Sequence, residues 1–268
     1  MTNPADLLPI AHHAVDLATQ IMRTRQPGAL TAKGDRDMAS DVDYAIEEHL
    51  RAFLAEKTPD IGFLGEENGT SGNTSRLTWA LDPVDGTVNF IHGSPLCAIS
   101  LGLIASDRPV LGVIGLPFLG GRYSAAEGHG AHLDSQPLHV STTSDLAEAV
   151  VAIGDYAVGE NAAEKNHHRF TMTQRLAATV QRIRMHGSAA IDLAWLAAGK
   201  IDAIAMLTNK PWDTAAGVII AREAGAHITD HHGTPHTLHA PTTIATNPTL
   251  MPHLLKLITT TPPSNTEH

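Results

Sequence analysis

The stretch Trp79-Ala80-Leu81-Asp82-Pro83-Val84-Asp85-Gly86-Thr87-Val88-Asn89-Phe90 constrains this chain more than any other. It runs apolar into two acids three residues apart, and then into a glycine, a hydroxyl and a second apolar run. Trp79, Ala80 and Leu81 read as the end of a buried strand, so Asp82 emerges where the chain leaves the sheet. Pro83 fixes φ and gives up an N–H that a turn does not need. Asp82, the Val84 carbonyl and Asp85 then face one small volume, and three such oxygens suit a hard cation such as Mg²⁺. A helix starting at Gly86 or Thr87 would aim free N–H groups and its dipole at the same volume, favouring a phosphate. The structural alternative stays open: an Asp-Pro turn followed by a helix that Asp85 caps.

Around this stretch the chain alternates elements in a readable way. Ala11, Ala14, Val15, Ala18, Ile21 and Met22 follow helical spacing and predict a helix over 5–25 that Gln26-Pro27-Gly28 ends. The polar run from Ala29 to Met38 predicts a mobile loop, from which Lys33 either approaches a phosphate or is simply solvated. Ser40-Asp41-Val42-Asp43 comes close to a capping box and opens a helix with Ile46, Leu50, Phe53 and Leu54 on one face. Asp43 at that start would both satisfy backbone donors and orient a neighbouring hydroxyl. Ile61 to Leu64 is a short strand that delivers Glu66 and Glu67 to its end, as Trp79 to Leu81 deliver Asp82. The Gly/Ser/Asn/Thr loop from Asn68 to Ser75 permits a hairpin-like return.

Three apolar segments follow, over 96–105, 109–116 and 121–126, and predict consecutive antiparallel strands. The polar linker from Val140 to Ala147 predicts a boundary between an N-terminal α+β domain, 1–145, and a C-terminal α/β domain, 146–268. In the second part, strands at 150–154, 182–185 and 201–206 alternate with helices at 161–180, 189–198 and 213–224. Short strands at 226–229 and 242–245, a helix over 249–258 and a frayed tail from 259 close it. Alternation of this kind predicts an α/β layer structure.

Asp213, in Pro211-Trp212-Asp213-Thr214-Ala215-Ala216-Gly217, starts a helix and either caps it or points outward as a ligand. The small residues after it let that helix pack closely. His186-Gly187-Ser188-Ala189 offers backbone donors and a hydroxyl at another helix start. None of the seventeen histidines has a zinc-site spacing, so surface positions account for them, with His186 kept for its location.

Composition excludes several classes. A net charge of −10 argues against a nucleic acid polymer as partner. No stretch approaches 18 uninterrupted apolar residues, so no membrane span is expected. The single cysteine, Cys97, sits in an apolar run, reads as a core thiol and suits a reducing cytoplasm.

Phe63-Leu64-Gly65-Glu66-Glu67, Trp79 to Phe90, and Pro211 to Gly217 with Glu223-Ala224-Gly225 resemble the three signature segments of the inositol monophosphatase family of Mg²⁺-dependent phosphatases. The likeness runs from Lys33 to about Asp230. It implies a layered α/β/α/β/α sandwich of the inositol monophosphatase and fructose-1,6-bisphosphatase type, a homodimer, sensitivity to lithium, and hydrolysis of a small phosphorylated alcohol, inositol 1-phosphate first. By position, Glu66, Asp82 and the Val84 carbonyl would bind one Mg²⁺, and Asp82, Asp85 and Asp213 a second. Glu66 would also reach a third ion through water. Thr87, oriented by Asp43, would hold the attacking water. The N–H groups of Gly86 and Thr87 would bind phosphate, and Lys33 matches a mobile-loop lysine that closes over the site. Ser188 and Ala189 match small residues of the substrate pocket. Met206 departs from the pattern, because inositol-preferring members place a glutamate there; histidinol phosphate, sugar phosphates and 3′-phosphonucleotides are the alternative substrates. A regulatory binding protein with incidental catalysis is the alternative of another class.

Overall fold

The computed structural model describes residues 3–34, 37–73 and 76–259, the Asp37 side chain excepted. Asp35, Arg36 and the tail beyond Thr259 lie outside them. A short 3₁₀ turn, Pro4–Leu7, leads into α1, Leu8–Thr24. The strands β1, Leu30–Gly34, and β2, Asp37–Ser40, precede α2, Asp41–Lys57. Then come β3, Gly62–Gly65, β4, Gly69–Ser71, β5, Leu77–Asp85, and the single turn α3, Thr87–Ile91. A meander follows: β6, Ala98–Ala105, β7, Arg108–Gly115, β8, Arg122–Ala126, β9, Ala131–Leu133, and β10, Gln136–Pro137. The second part holds β11, Val150–Ile153, α4, Ala162–Thr179, β12, Arg182–Arg184, α5, Ala189–Ala197, and β13, Ala203–Met206. It closes with α6, Pro211–Glu223, β14, His227–Thr229, β15, Thr243–Thr246, and α7, Met251–Thr259.

Two sheets organise these elements. The larger has the order β10-β9-β8-β7-β6-β5-β3-β4 and the smaller β12-β11-β13-β15-β14. Period-two burial decides which face of each meets which helices. In the small sheet Val151, Ile153, Ala203 and Ala205 pack with Met172 and Leu176 of α4 and Leu254 of α7. Their neighbours Ala152, Ile204 and Met206 turn to the opposite side and join α5 and α6. In the large sheet Ile99, Leu101, Leu103, Leu111 and Val113 face α1 and α2. The layers therefore run α1/α2, large sheet, α5/α6, small sheet, α4/α7, the five-layer sandwich that the resemblance implies.

The middle helix layer fits because glycines on both sides leave room. A Cβ on Gly112 would lie 2.4 Å from Ala216 O, and one on Gly102 2.7 Å from the Ala215 Cβ. Gly217 does the same for α5, where an added Cβ would meet Leu193 Cβ at 2.5 Å. The small residues after Asp213 are thus matched by glycines in the sheet, and the close approach is mutual.

Three expectations need correction. The described residues between Ala29 and Met38 are not a loop: Leu30 pairs with Ser40, Thr31 with Ala39 and Ala32 with Met38 in an antiparallel two-stranded sheet. Both strands are short, and β1 is mostly exposed, so no apolar alternation announces them. The return after β3 is also not made to β5. β4 pairs antiparallel with β3 as the sheet edge, while β5 lies parallel to β3 on its other side. The surface reading of the histidines fails at His236, which is 5% exposed. Cys97 is buried, as expected.

Candidate active site

β3 ends at Gly65, opposite Leu81, but β5 runs on to Asp85, so Asp82 does not mark the strand end as expected. Glu66 leaves the large sheet beside Asp82, which still pairs with Ser100 of β6. Glu66 N donates to Leu81 O at 3.2 Å and closes the pair. Asp82 is 3% exposed, and its Oδ1 accepts from Val84 N at 3.0 Å across Pro83, within β5. Pairing of β5 with β6 is irregular between Asp82 and Asp85, so the strand carries both acids into the same cleft. Gly86 follows at φ 88°, a left-handed conformation suited to glycine. A Cβ there would lie 2.8 Å from Leu96 O. No side chain caps α3, so Asp85 is not its cap.

Asp85 is instead held by the start of α5. Ser188 Oγ donates to its Oδ2 at 2.5 Å, Ala190 N to the same oxygen at 2.6 Å, and Ala189 N to Oδ1 at 3.3 Å. Ser188 and Ala189 thereby serve the acid as well as lining the cleft. Asp213 does cap its helix: Lys210 N donates to its Oδ2 at 2.9 Å.

Four acids converge; Lys33 lies against Glu66 and the Lys210 charge partly offsets Asp213, while no basic group among the described residues counters Asp82 or Asp85. Burial raises the Asp82 carboxyl well above the ordinary range, and the charges of Glu66, Asp85 and Asp213 add to the shift. Burial pushes Asp213 up to about 8, again helped by Asp85 and Glu66. It pushes Asp85 up to about 7 against the donors of α5. Glu66 is the one that holds a cation: Lys33 Nζ donates to its Oε1 at 2.6 Å and to Glu67 Oε1 at 2.9 Å. Burial opposes the Lys33 charge, but the two carboxylates outweigh it and hold its pKa above the usual lysine value. These acids feel one another electrostatically, yet no three acidic, imidazole or thiol side chains among the described residues form a ready-made metal cage. Each is still turned to its own protein donor.

The hydroxyl partner sits at the first residue of α3. Thr87 Oγ1 lies 3.1 Å from Asp43 Oδ1 and 2.9 Å from Val84 O, two acceptors for one proton. Asp43 is fully buried in the predicted capping box: its Oδ2 accepts from Ser40 N at 3.0 Å and Ser40 Oγ at 2.5 Å. Burial raises its pKa, and the Ser40 and Thr87 bonds counter the rise.

The cleft has a volume of about 420 Å³ and takes in Glu66, Asp82, Val84, Asp85, Gly86, Thr87 and Asp213. Ser188, Ala189 and Met206 line it too, with Met206 only 3% exposed at the end of β13. His186 does not line it. It borders an adjoining hollow, where its Nδ1 lies 2.5 Å from Asp192 Oδ1 and its ring stands edge-on to Trp195.

Two residues that matter here were not singled out from the sequence. Glu47 of α2 is fully buried and holds the β3–β4 turn: Glu67 N donates to its Oε2 at 2.8 Å and Asn68 N to its Oε1 at 2.9 Å. Arg51 Nη2 donates to the same Oε1 at 2.7 Å. Gly65 passes so close that a Cβ would lie 2.3 Å from that carboxylate. The one signal in the sequence is spacing, since Glu47 lies one helical turn after Asp43 on the same face. Asn89 is the other; its Nδ2 donates to Leu96 O at 2.8 Å and His186 O at 2.7 Å, stapling α3 to the start of α5. Nothing local to Asn89 marks it.

Comparison with known proteins agrees with this geometry. The model of the inositol monophosphatase family matches residues 4–262. The inositol-1-monophosphatase ImpA of Mycolicibacterium smegmatis is 36% identical over 237 residues, covering 88% of this chain and 85% of the relative. The inositol monophosphatase structure from Anabaena (Nostoc) superposes with a TM-score of 0.86 at 31% identity, covering 98% of this chain and 99% of that one. The extragenic suppressor protein suhB of Bartonella henselae gives 0.89 at 29% identity, with 95% and 98% covered. No helix among the described residues is long and apolar enough to cross a membrane. With the five-layer sandwich, the convergent acids and a family match over nearly the whole length, the chain belongs to the inositol monophosphatase family of phosphoric monoester hydrolases.

Proposed function

We propose that this chain hydrolyses a small phosphorylated alcohol with Mg²⁺ as cofactor, inositol 1-phosphate being the first candidate. The observation that carries the reading is the meeting in one cleft of Glu66, Asp82, Asp85 and Asp213 with the Thr87–Asp43 pair. The donors fit a hard divalent ion: they are carboxylate and carbonyl oxygens, and their raised carboxyl pKa values are what a nearby cation would reverse. Glu66, Asp82 and the Val84 carbonyl would hold one Mg²⁺, and Asp82, Asp85 and Asp213 a second, with Glu66 reaching a third through water. When bound, Mg²⁺ supplies charge for the phosphoryl and leaving oxygens and makes water acidic enough to react at neutral pH.

The chain's own groups do the aiming. Of the two acceptors for the Thr87 proton, Asp43 leaves the Val84 carbonyl available as a ligand. Thr87 Oγ1 then has lone pairs to accept from a water and orient it in line with the phosphorus. The Gly86 and Thr87 N–H groups, uncapped by any side chain among the described residues, would bind the phosphate oxygens. Lys33 would release Glu66 and offer its ammonium to the incoming anion.

Asp82→Asn tests the reading. Phosphate release should fall by about 10²-fold or more, the scale of losing one preorganised electrostatic group, with an unchanged circular dichroism spectrum. Activity retained at the wild-type level would refute the assignment. Met206 favours a second substrate reading within the same chemistry, because a thioether cannot accept strong hydrogen bonds from a polyol. Histidinol phosphate, a sugar phosphate or a nucleotide 3′-phosphate would then be preferred over inositol 1-phosphate in a release panel. Lithium inhibition, a homodimer, a cytoplasmic location and the division at residue 145 belong to the same proposal, supported by the family likeness and, for the compartment, by the lone buried cysteine.

A further inference from the structure

The cleft has a second charged wall that this reading leaves unused. Arg169 of α4 lines it and is only 5% exposed. Among the described residues it forms no ion pair; its Nη2 donates to Thr208 Oγ1 at 3.1 Å, and its Nη1 reaches Asn166 Oδ1 at 3.5 Å. Asp155 attracts it through space without an ion pair. A guanidinium cannot shed its proton, and burying one without a carboxylate or phosphate partner is costly.

The wall is a built one. Asn166 Oδ1 accepts from Ala157 N at 2.7 Å and its Nδ2 donates to Ala157 O at 2.8 Å, which ties the loop after β11 to α4. Tyr156 in that loop donates from its hydroxyl to Thr173 Oγ1 at 3.0 Å. Lys165 lies one turn before Arg169 on α4, is exposed and lines the same cleft. The acids and the guanidinium thus bound a single cleft, with Met206 offering an apolar surface within it.

We propose that Arg169, with Lys165 and Thr208, is the subsite for a second anionic group on the leaving alcohol, so that the preferred substrates are phosphoric monoesters that also carry a phosphate or a carboxylate. The proposal rests on the phosphatase reading only for the scissile phosphate. A guanidinium fork recognises either anion through paired N–H donors, and a hydroxyl beside it fixes the fork's plane. Met206 then suits the carbon part of such a molecule better than the ring of a neutral polyol.

Kinetics with Mg²⁺ on fructose 1,6-bisphosphate, 3-phosphoglycerate and inositol 1-phosphate test it. The first two carry a second phosphate and a carboxylate, and the third carries neither. Arg169→Met should raise KM for one or both of the first two by about tenfold to a hundredfold, the worth of one charge-assisted contact. Its kcat, and both constants for inositol 1-phosphate, should stay within about threefold. Arg169→Lys should recover part of the loss, and Lys165→Ala, at an exposed position that the fold tolerates, should show the same pattern more weakly. An equal loss on all three esters, or a wild type with no preference among them, would overturn the subsite. Calorimetric titration of fructose 6-phosphate with Mg²⁺ chelated separates this from the phosphatase reading, since the acid cluster then repels anions. Binding to the wild type that weakens at least tenfold in Arg169→Met supports the subsite even if no ester is turned over. Absent or unchanged binding refutes it.

Discussion

Glu47→Gln isolates the device that holds Glu66 and Glu67 in place. The wild-type carboxylate accepts from Glu67 N, Asn68 N and Arg51 Nη2, all at 2.7 to 2.9 Å, with no exposure of the side chain. Glutamine keeps one acceptor oxygen, but its NH₂ must face one of these donors. One buried N–H then loses its partner, at about 1–3 kcal/mol, and the Arg51 pair loses its opposite charge. Together about 3 kcal/mol of stability should go. The unfolding entropy of a 268-residue chain is about 0.56 kcal/mol per kelvin at roughly 2.1 cal/mol/K per residue. The melting temperature should therefore drop by about 5 °C. The assay is calorimetry on Glu47→Gln beside Glu48→Gln, whose side chain is exposed on the same helix and which should shift by less than about 1 °C. Phosphate release should also need more Mg²⁺, because the turn carrying Glu66 is loosened. A Glu47→Gln shift no larger than that of Glu48→Gln would refute the argument that this carboxylate organises the turn.

Three further outcomes follow from the same structure. Gly217→Ala should lower the melting temperature by about 2–5 °C, since overpacking against Leu193 costs about 1–3 kcal/mol; an unchanged value would mean that α5 and α6 can part freely. Mg²⁺ at a hundredfold excess over its dissociation constant should add about 2.7 kcal/mol, or about 5 °C, and Asp82→Asn should abolish most of that gain. His236, with Nε2 2.9 Å from Thr243 Oγ1 and Nδ1 buried without a partner among the described residues, is pushed down to about 4 by burial and by Arg222. Its neutral form is favoured in the folded chain, so its contribution is complete above pH 6.5 and is lost as the pH falls toward 4, about 2.5 kcal/mol by pH 4.5. Urea midpoints from pH 7.5 to 4.5 should fall more steeply for the wild type than for His236→Asn, and parallel slopes would contradict this.

What could be read from the residues in order was whatever is decided locally. Gly86 makes the turn between strand and helix through its own φ preference, so Asp82, Asp85 and Thr87 were legible as one unit, although Pro83 stays within β5 rather than in a turn. The Ser40–Asp43 capping box closes within four residues, and it was legible too. Alternating strands and helices in the second part announced the layers because each periodicity is a property of a single segment. The pairing of β1 with β2 was not legible, because β1 is mostly exposed, neither short strand carries an apolar period, and only pairing makes them strands. Glu47 reaches Glu67 across 20 residues and Asn89 reaches His186 across 97; a side chain's partner at that distance depends on how sheets and helices stack, which no local pattern encodes. The same holds for the clamp of Ser188 and Ala190 on Asp85 and for Arg169, buried with no ion pair among the described residues, which in the sequence is one more basic residue on a helix. Local spacing marked which acids could form a site. Which donors hold each acid, and that a guanidinium shares their cleft, follows from the packing of the layers, because burial and contact across them exist only once the chain has folded.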